Sequence, residues 1–206
     1  MHTEIFNGDQ VELLPYIRDF QRSFYLVGGT AIALHLGHRR SVDFDLFTIS
    51  QLNKLRIKKR LIGIPLKQIP VFEDSDQLHL LVNNVKITFF SYPYTILHPV
   101  KVGSIISIPS LLTLAAMKAF ALGRMAKWKD YVDIYFILHN HFSVQEICLE
   151  AEKIFKQQFS EKLFRQQLAF HKDIDYSEPI EFLVPLVPAD EIKDFLTDKA
   201  TDIFGE

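Results

Sequence analysis

The chain has 206 residues, of which 48% are hydrophobic and 23% are charged, and its 23 Lys and Arg nearly balance its 25 Asp and Glu. This composition excludes disordered, collagen-like and coiled-coil chains, and it supplies enough apolar surface for a core. The net charge of -2 gives no global basic field that would draw the protein to nucleic acid or anionic lipid. At about 150 residues per domain, we expect one large domain or two small ones.

Cysteine usage and the apolar runs predict a cytoplasmic protein with no membrane partner. Cys148 is the single cysteine, which excludes an internal disulfide and a cysteine-rich zinc site. The opening residues Met-His-Thr-Glu lack the basic and apolar regions of a signal peptide. The longest apolar run, 111–122, is interrupted by Lys118 and is shorter than the roughly 18 to 20 residues that a membrane helix needs.

Hydrophobic spacing and turn residues predict the elements in chain order. The first half contains a helix, a short buried strand, a helix with Thr30 as its N-cap, a strand, a basic helix, and two antiparallel strands that Asn83 and Asn84 connect. These elements span 9–21, 24–27, 31–36, 41–48, 54–60, 77–82 and 85–91. After Pro109 the pattern is helical, with helices expected at 110–124, 129–138, 143–159, 161–170 and 189–203.

Strands followed by helices predict an α+β fold. We divide the chain into an α/β core at 1–105 and a helical region at 106–206. The sequence contains no internal repeat and no long flexible linker, so the two parts are expected to pack together.

Two acids alternate with apolar residues in the predicted strand 41–48. At a period of two, Asp43 and Asp45 lie on one face of this strand and the apolar residues lie on the other. Neighbouring carboxylates repel each other unless water or a divalent cation lies between them, and Mg²⁺ prefers such hard oxygen ligands. The alternative is a solvated strand face that binds nothing.

The segment Gly28-Gly29-Thr30, just upstream of these acids, favours the cation. Glycines allow a backbone to approach a ligand closely, and the N–H groups at the start of the following helix suit phosphate. A phosphate site would then lie beside the metal site.

These residues resemble the nucleotidyltransferase signature, in which Gly-Gly-Ser/Thr is followed by Asp-x-Asp on the next strand, and specifically the AbiEii/AbiGii abortive-infection toxin family. The matching segments are Leu26–Leu34 and Arg40–Phe47. Ala115–Lys118 is similar to the family's lysine motif, without the glutamine that precedes it there, and Lys129–Asp133 is similar to its paired-aspartate motif. The resemblance covers about 24 to 138 and implies a nucleotidyltransferase fold: a small mixed β-sheet with flanking helices, followed by a helical C-terminal region.

The resemblance implies a transferase that moves a nucleoside monophosphate from a nucleoside triphosphate to an acceptor hydroxyl on RNA, including transfer RNA, or on protein. Mg²⁺, or Mn²⁺ in its place, would be the cofactor, with Asp43 and Asp45 as metal ligands and catalytic residues. Gly28, Gly29 and Thr30 would bind the nucleotide. The protein would be the toxin of a toxin–antitoxin or abortive-infection system and would have a cognate antitoxin as partner.

Lys118 is the only charged residue in the apolar run 111–122. A buried ammonium needs a partner, and Asp130 or Asp133 can supply it across two packed helices. By resemblance, Lys118 instead faces the nucleotide triphosphate, and the two aspartates orient Lys118 or the nucleotide, so that all three are catalytic. Both interpretations stay open, because substrate phosphate can join the ion pair.

One departure from the family concerns a later strand, where the family has Lys-x-Asp and this chain has Lys86-Ile87-Thr88. The third acid is the expected general base, and Thr88 cannot take a proton near neutral pH. Because such transfer depends chiefly on positioning and metal electrostatics, the loss would slow it by about 10² to 10⁴-fold rather than abolish it. The alternatives are a catalytically impaired nucleotide-binding protein of the same fold and, more distantly, an antibiotic-modifying nucleotidyltransferase.

Weaker candidates are basic residues and a histidine pair. The basic residues in reach of phosphates are Arg39, Arg40, the run Lys54–Arg60, Arg124 and Lys127. A run of this kind is more often a solvated helix face. His35 and His38 have a spacing loosely suggestive of a metal site, but no cysteine or third histidine accompanies them. Trp128 is expected to be a packing residue.

Overall fold

Five strands form one mixed sheet in the computed structural model, which describes residues 1–62, 65–122 and 127–202. The strands are β1 (Tyr25–Val27), β2 (Phe44–Thr48), β3 (Gln68–Glu73), β4 (Gln77–Val82) and β5 (Val85–Ser91). Their order across the sheet is β1-β2-β5-β4-β3, with β2 and β5 parallel and the other neighbours antiparallel. A separate hairpin consists of β6 (Val100–Val102) and β7 (Ile106–Ile108).

In the described part of the chain, one helix precedes β1, two lie between strands of the sheet and five follow the β6–β7 hairpin. The helices are α1 (Gly8–Arg18), α2 (Gly28–Leu36), α3 (Lys54–Ile62), α4 (Leu111–Ala121), α5 (Trp128–Asn140), α6 (Val144–Phe155), α7 (Glu161–Ala169) and α8 (Ala189–Thr201). Polar side chains satisfy free N–H groups at several helix starts, as Ser110 does for α4 and Ser143 for α6. Within the described ranges, no helix is long and apolar enough to cross a membrane.

The two faces of the sheet differ in burial, and this difference creates the site. On one face Phe44, Leu46 and Phe89 are completely buried, and the Phe89 ring packs edge-on against the rings of Phe20 and Phe24. On the other face the residues of β2 are half-buried. This alternation follows the period of two along a strand, so apolar packing on one face directs the carboxylate of β2 to the other.

The α+β fold is confirmed, including the small mixed sheet and the helical C-terminal region. Three strands escaped prediction. Strand β3 is an edge strand with five of its six residues exposed and Pro70 in the middle, so its sequence shows no alternation. Strands β6 and β7 have only three residues each.

Two local predictions were wrong. Helix α2 begins at Gly28, so Thr30 lies inside the helix and is not its N-cap. Strand β2 begins at Phe44 rather than at residue 41, and Asp43 therefore lies just before it.

The predicted helix ends at 123–124 and 203 lie outside the described residues. The division at 105/106 stays a prediction; that boundary would pass through the β6–β7 hairpin, and one continuous core contains residues from both sides of it.

Candidate active site

The paired acids stand at the beginning of β2, which pairs in parallel with the central strand β5. Asp45 lies opposite Val27 of β1 and opposite Thr88 of β5, while Asp43 lies just before the strand, with its Oδ2 3.7 Å from the Nζ of Lys129. Partial burial and the neighbouring Asp43 carboxylate raise the pKa of Asp45 above its usual value. Two half-exposed carboxylates that destabilise each other's charge are suited to a divalent cation.

Gly28 and Gly29 leave room for two charged groups. Gly28 has a φ of +71°, and a Cβ at this position would overlap the Oδ2 of Asp45. A Cβ on Gly29 would lie 2.7 Å from Nη2 of Arg39. The glycines thus admit the Asp45 carboxylate and the Arg39 guanidinium close to the start of α2, where free N–H groups are found.

The side chain of Thr30 forms hydrogen bonds between α2 and the segment that precedes β2. Its hydroxyl is hydrogen-bonded to Oγ of Ser41 at 2.9 Å and donates to the backbone carbonyl of Asp43. Because Thr30 is only 1% exposed, its hydroxyl does not reach a ligand, and its side chain contributes to the site by positioning Asp43.

Lys118 lies between two aspartates, as the residues themselves predicted. Its Nζ donates to Oδ1 of Asp130 at 2.6 Å and is 3.0 Å from Oδ2 of Asp133. Burial alone would lower the pKa of Lys118, but the two carboxylates outweigh this effect and raise the pKa above its usual range. Lys118 is therefore a permanently protonated cation whose position is fixed by α5.

Asp133 is completely buried and its carboxylate makes four contacts with three residues. Besides Lys118, it accepts from Nε of Arg39 at 2.7 Å, from Nη2 of Arg39 at 2.8 Å and from Nε2 of His38 at 2.8 Å. Burial alone would raise the pKa of Asp133, but Arg39 and Lys118 hold it well below its usual value. Asp133 thus orients Lys118 from the protein interior, and its carboxylate is not exposed to a nucleotide.

A cleft of 490 Å³ brings several of these residues together. Its polar end contains Gly28, Asp45, Lys118, Lys127 and Asp130. Its remaining wall is largely apolar and includes Phe47, Phe90, Met117 and Phe120, with Gln77 beside them. A cleft lined by both charged groups and aromatic rings suits a molecule that has phosphates and a flat ring. Gly29, Thr30, Asp43 and Asp133 lie behind or beside this cleft and do not line it.

Sequence reasoning missed an ion-paired group near Asp43 that consists of Lys127, Lys129 and Glu178. Glu178, from the segment before α8, lies 2.5 Å from Nζ of Lys129 and also accepts from Lys127. Burial alone would raise the pKa of Glu178, but hydrogen bonds from the two lysines lower it to about 2. No local spacing marks Glu178, because it meets the site only through tertiary packing.

The weaker candidates turn out to have structural partners. Arg39 binds Asp133, and Nε of Arg40 donates to Oε1 of Glu181 at 2.6 Å, so neither arginine is free for phosphate. His35 is hydrogen-bonded to the backbone oxygen of Pro109, and His38 binds Asp133, which excludes a shared metal site for the pair. The described residues contain no group of three or more His, Cys, Asp and Glu that could hold a metal ion.

The basic run of α3 lies away from the acidic pair. Arg56 and Arg60 line a separate cleft of 430 Å³, together with Arg22. Trp128 packs against the rings of Tyr131 and Tyr176, as expected of a packing residue. Arg124 lies outside the described residues.

Comparison with known proteins identifies the family. The family described as "Nucleotidyl transferase AbiEii toxin, Type IV TA system" matches residues 16–202. A protein of Aquifex aeolicus (strain VF5), aq_aa25, is 30% identical over 166 residues, which cover 78% of this chain and 72% of that protein.

Two solved structures share the fold. JHP933 from Helicobacter pylori has a TM-score of 0.58 at 16% identity, covering 94% of this chain and 89% of the other. MenT4, a nucleotidyltransferase toxin from Mycobacterium tuberculosis H37Rv, has a TM-score of 0.63 at 12% identity, covering 94% and 81% of the two chains. The match over residues 16–202, on a nucleotidyltransferase fold, shows that the chain belongs to the AbiEii nucleotidyltransferase toxin family.

Proposed function

We propose that this protein transfers a nucleoside monophosphate from a nucleoside triphosphate to an acceptor hydroxyl. The observation that carries the proposal is the cleft in which Asp45 faces Lys118 and Asp130, with Asp43 beside it. Family membership supports transferase activity in general. The residues around the cleft support the finer statement about which groups take part.

The acidic pair fits a divalent cation, Mg²⁺ or Mn²⁺. Asp43 and Asp45 supply hard oxygen ligands, and burial together with the neighbouring Asp43 carboxylate raises the pKa of Asp45. Mg²⁺ is usually held by one or two carboxylates plus substrate phosphates, so two acids are sufficient. When bound, such an ion would neutralise charge on the triphosphate and on the leaving pyrophosphate.

The protein's own groups would position the nucleotide. Backbone N–H groups at Gly28 and Gly29 would face its phosphates at the start of α2, and Thr30 would keep Asp43 in place through the hydrogen bond to its carbonyl. Lys118 would neutralise negative charge that develops on the phosphates, while Asp130 fixes its direction. The aromatic wall of the cleft would bind the nucleobase.

The acceptor and the biological role are extended from the family. We propose a hydroxyl of RNA, including transfer RNA, or of protein as the acceptor, and we propose action in the cytoplasm as a toxin that a cognate antitoxin restrains. MenT4, which shares the fold, is itself named as a nucleotidyltransferase toxin.

A second candidate function has a specific observation in its favour. Thr88 occupies the place next to Asp45 where a third acid is expected, and its hydroxyl is buried beside the Asp45 carboxylate. A protein that binds nucleotide without transferring it would explain this replacement.

The Thr88→Asp variant separates the two functions. For an active enzyme we expect transfer by the wild type and a change in kcat below about tenfold in the variant, because an enzyme that already turns over efficiently has another acceptor for the proton. For a binding-only protein, the wild type would be silent and the new carboxylate would raise transfer by about 10² to 10⁴-fold. The measurement is incorporation of labelled nucleotide into RNA or protein, with Thr197→Asp on the exposed face of α8 as the matched control.

A further inference from the structure

A histidine lies in the same cross-strand row as Asp45 and Thr88. Asp45 of β2 pairs with Thr88 of β5, and Thr88 pairs with His79 of β4. Directly paired residues point to the same face of a sheet, so His79 and Asp45 share the half-open face. Strands are about 4.8 Å apart, which places the two backbones about 10 Å from each other. An acceptor hydroxyl between the two side chains is within reach of both, directly or through one water.

The hydrogen bonding of His79 leaves one ring nitrogen able to accept a proton. Nε2 of His79 donates to Oε1 of Gln77 at 2.9 Å, and the Phe72 ring packs edge-on against the imidazole with 5.4 Å between the ring centroids. With the proton on Nε2, Nδ1 carries the free lone pair. Gln77 also lines the cleft, so the His79–Gln77 pair lies next to the aromatic wall proposed to bind the nucleobase.

The charges around His79 keep it neutral. Partial burial and Lys86 of β5 lower the pKa of His79 below its usual value, and Asp74 in the β3–β4 turn opposes this shift. Strand β3 contributes the uncharged Phe72 on one side, and Asp45 lies two strands away on the other. At neutral pH, His79 is therefore an unprotonated imidazole.

Three of the carboxylates around the cleft are already bound to cationic side chains. Glu178 has a pKa of about 2, and Asp133 is completely buried with its pKa well below the usual value. Asp130 is bound to the Nζ of Lys118 at 2.6 Å. A base works best when its pKa lies near the working pH, which favours an imidazole over these carboxylates.

We propose that His79 is the general base of this chain and replaces the carboxylate that is absent at Thr88. The proposal rests on the proposed function. The acceptor O–H bond breaks as its proton passes to Nδ1 of His79, while the bond between that oxygen and the α-phosphorus forms. The bond from the α-phosphorus to the bridging oxygen breaks, and pyrophosphate leaves with the electron pair. The imidazolium keeps its Nε2–H on Gln77 and then releases its extra proton to water.

Four proteins test this assignment: the wild type, His79→Gln, Thr88→Asp and the double variant, with His141→Gln at an exposed position after α5 as control. We expect His79→Gln to lower kcat by about 10²-fold or more with little change in the Kd for nucleoside triphosphate. In the Thr88→Asp background, the same replacement should change kcat by less than about threefold, because the new carboxylate takes the proton. The wild-type kcat should fall as the pH drops through the His79 pKa, below 6.5, and this limb should move in Thr88→Asp.

The outcomes distinguish a failure of the His79 assignment from a failure of the proposed nucleotidyl transfer. A His79→Gln protein with wild-type kcat would overturn the proposal, and so would an equal loss of kcat in both backgrounds, since that loss would report a structural role. If the wild type binds nucleotide but transfers it only after Thr88→Asp, the nucleotidyltransferase site stands and His79 is not its base. If neither background transfers label, the proposed function fails, and the assignment of His79 fails with it.

Discussion

Replacing Asp43 or Asp45 with asparagine is expected to lower nucleotide transfer by at least about 10² to 10³-fold, the loss typical when one electrostatic stabiliser of a transition state is removed. An amide keeps the shape of the side chain but lacks the negative charge that would hold the cation and, through it, the phosphates. The fold should persist, because both residues are only partly buried and asparagine keeps the size of the side chain. Initial rates at saturating nucleotide and Mg²⁺ measure the effect.

The control for these variants is Asp173→Asn, which removes an exposed carboxylate far along the chain. It should leave transfer unchanged. If Asp43→Asn and Asp45→Asn both kept the wild-type rate with the same Mg²⁺ requirement, the assignment of the acidic pair as metal ligands would be wrong.

Replacing Asp133 with asparagine is expected to have the largest effect on stability. Its carboxylate binds Arg39 through two hydrogen bonds and also binds His38 and Lys118, and the Arg39 side chain is only 4% exposed. Removing one partner of a buried ion pair leaves an uncompensated charge, which costs about 3 to 5 kcal/mol. Urea unfolding followed by circular dichroism measures this loss. Lys153→Gln is the control, because its 3.7 Å pair with Glu150 is exposed and contributes about 1 kcal/mol or less.

The pH dependence of stability gives a second readout of Asp133. Its pKa is lower in the folded than in the unfolded state, so its ionised form stabilises the fold at every pH above about 3.9. This stability is lost progressively as the pH falls from about 3.9 through the lowered folded-state pKa. The difference in unfolding free energy between wild type and Asp133→Asn should therefore stay constant down to about pH 4 and shrink below it. A variant within about 1 kcal/mol of wild type at neutral pH would contradict the account.

The parts of the site that could be predicted are those that stand out from their immediate neighbours. Asp43 and Asp45 alternate with apolar residues just downstream of Gly28-Gly29-Thr30, and Lys118 is the one charge in an apolar run, so these local patterns were enough to name them as candidates. The same reasoning named Asp130 and Asp133 as partners of Lys118, and both ion pairs are present.

The remaining parts depend on packing between distant segments. Arg39 and Asp133 are separated by 94 positions, so no spacing rule connects them, and the sequence suggested a phosphate contact for Arg39 instead. Glu178 reaches Lys129 only because the segment before α8 folds back over the start of α5. The place of His79 depends on the register of β4 against β5, which pairing across the sheet determines.

The most direct test of nucleotidyl transfer compares nucleoside triphosphates labelled at the α-phosphate with those labelled at the γ-phosphate. Purified protein is incubated with each nucleotide, Mg²⁺, total bacterial RNA and cell lysate, and the products are separated on gels. The account predicts that α-label appears on a macromolecule, that γ-label does not, and that chelation of the metal prevents labelling. Absence of α-label with every nucleotide, while nucleotide binding is detectable, would contradict transfer and favour the binding-only protein; transfer of γ-label would indicate a kinase instead.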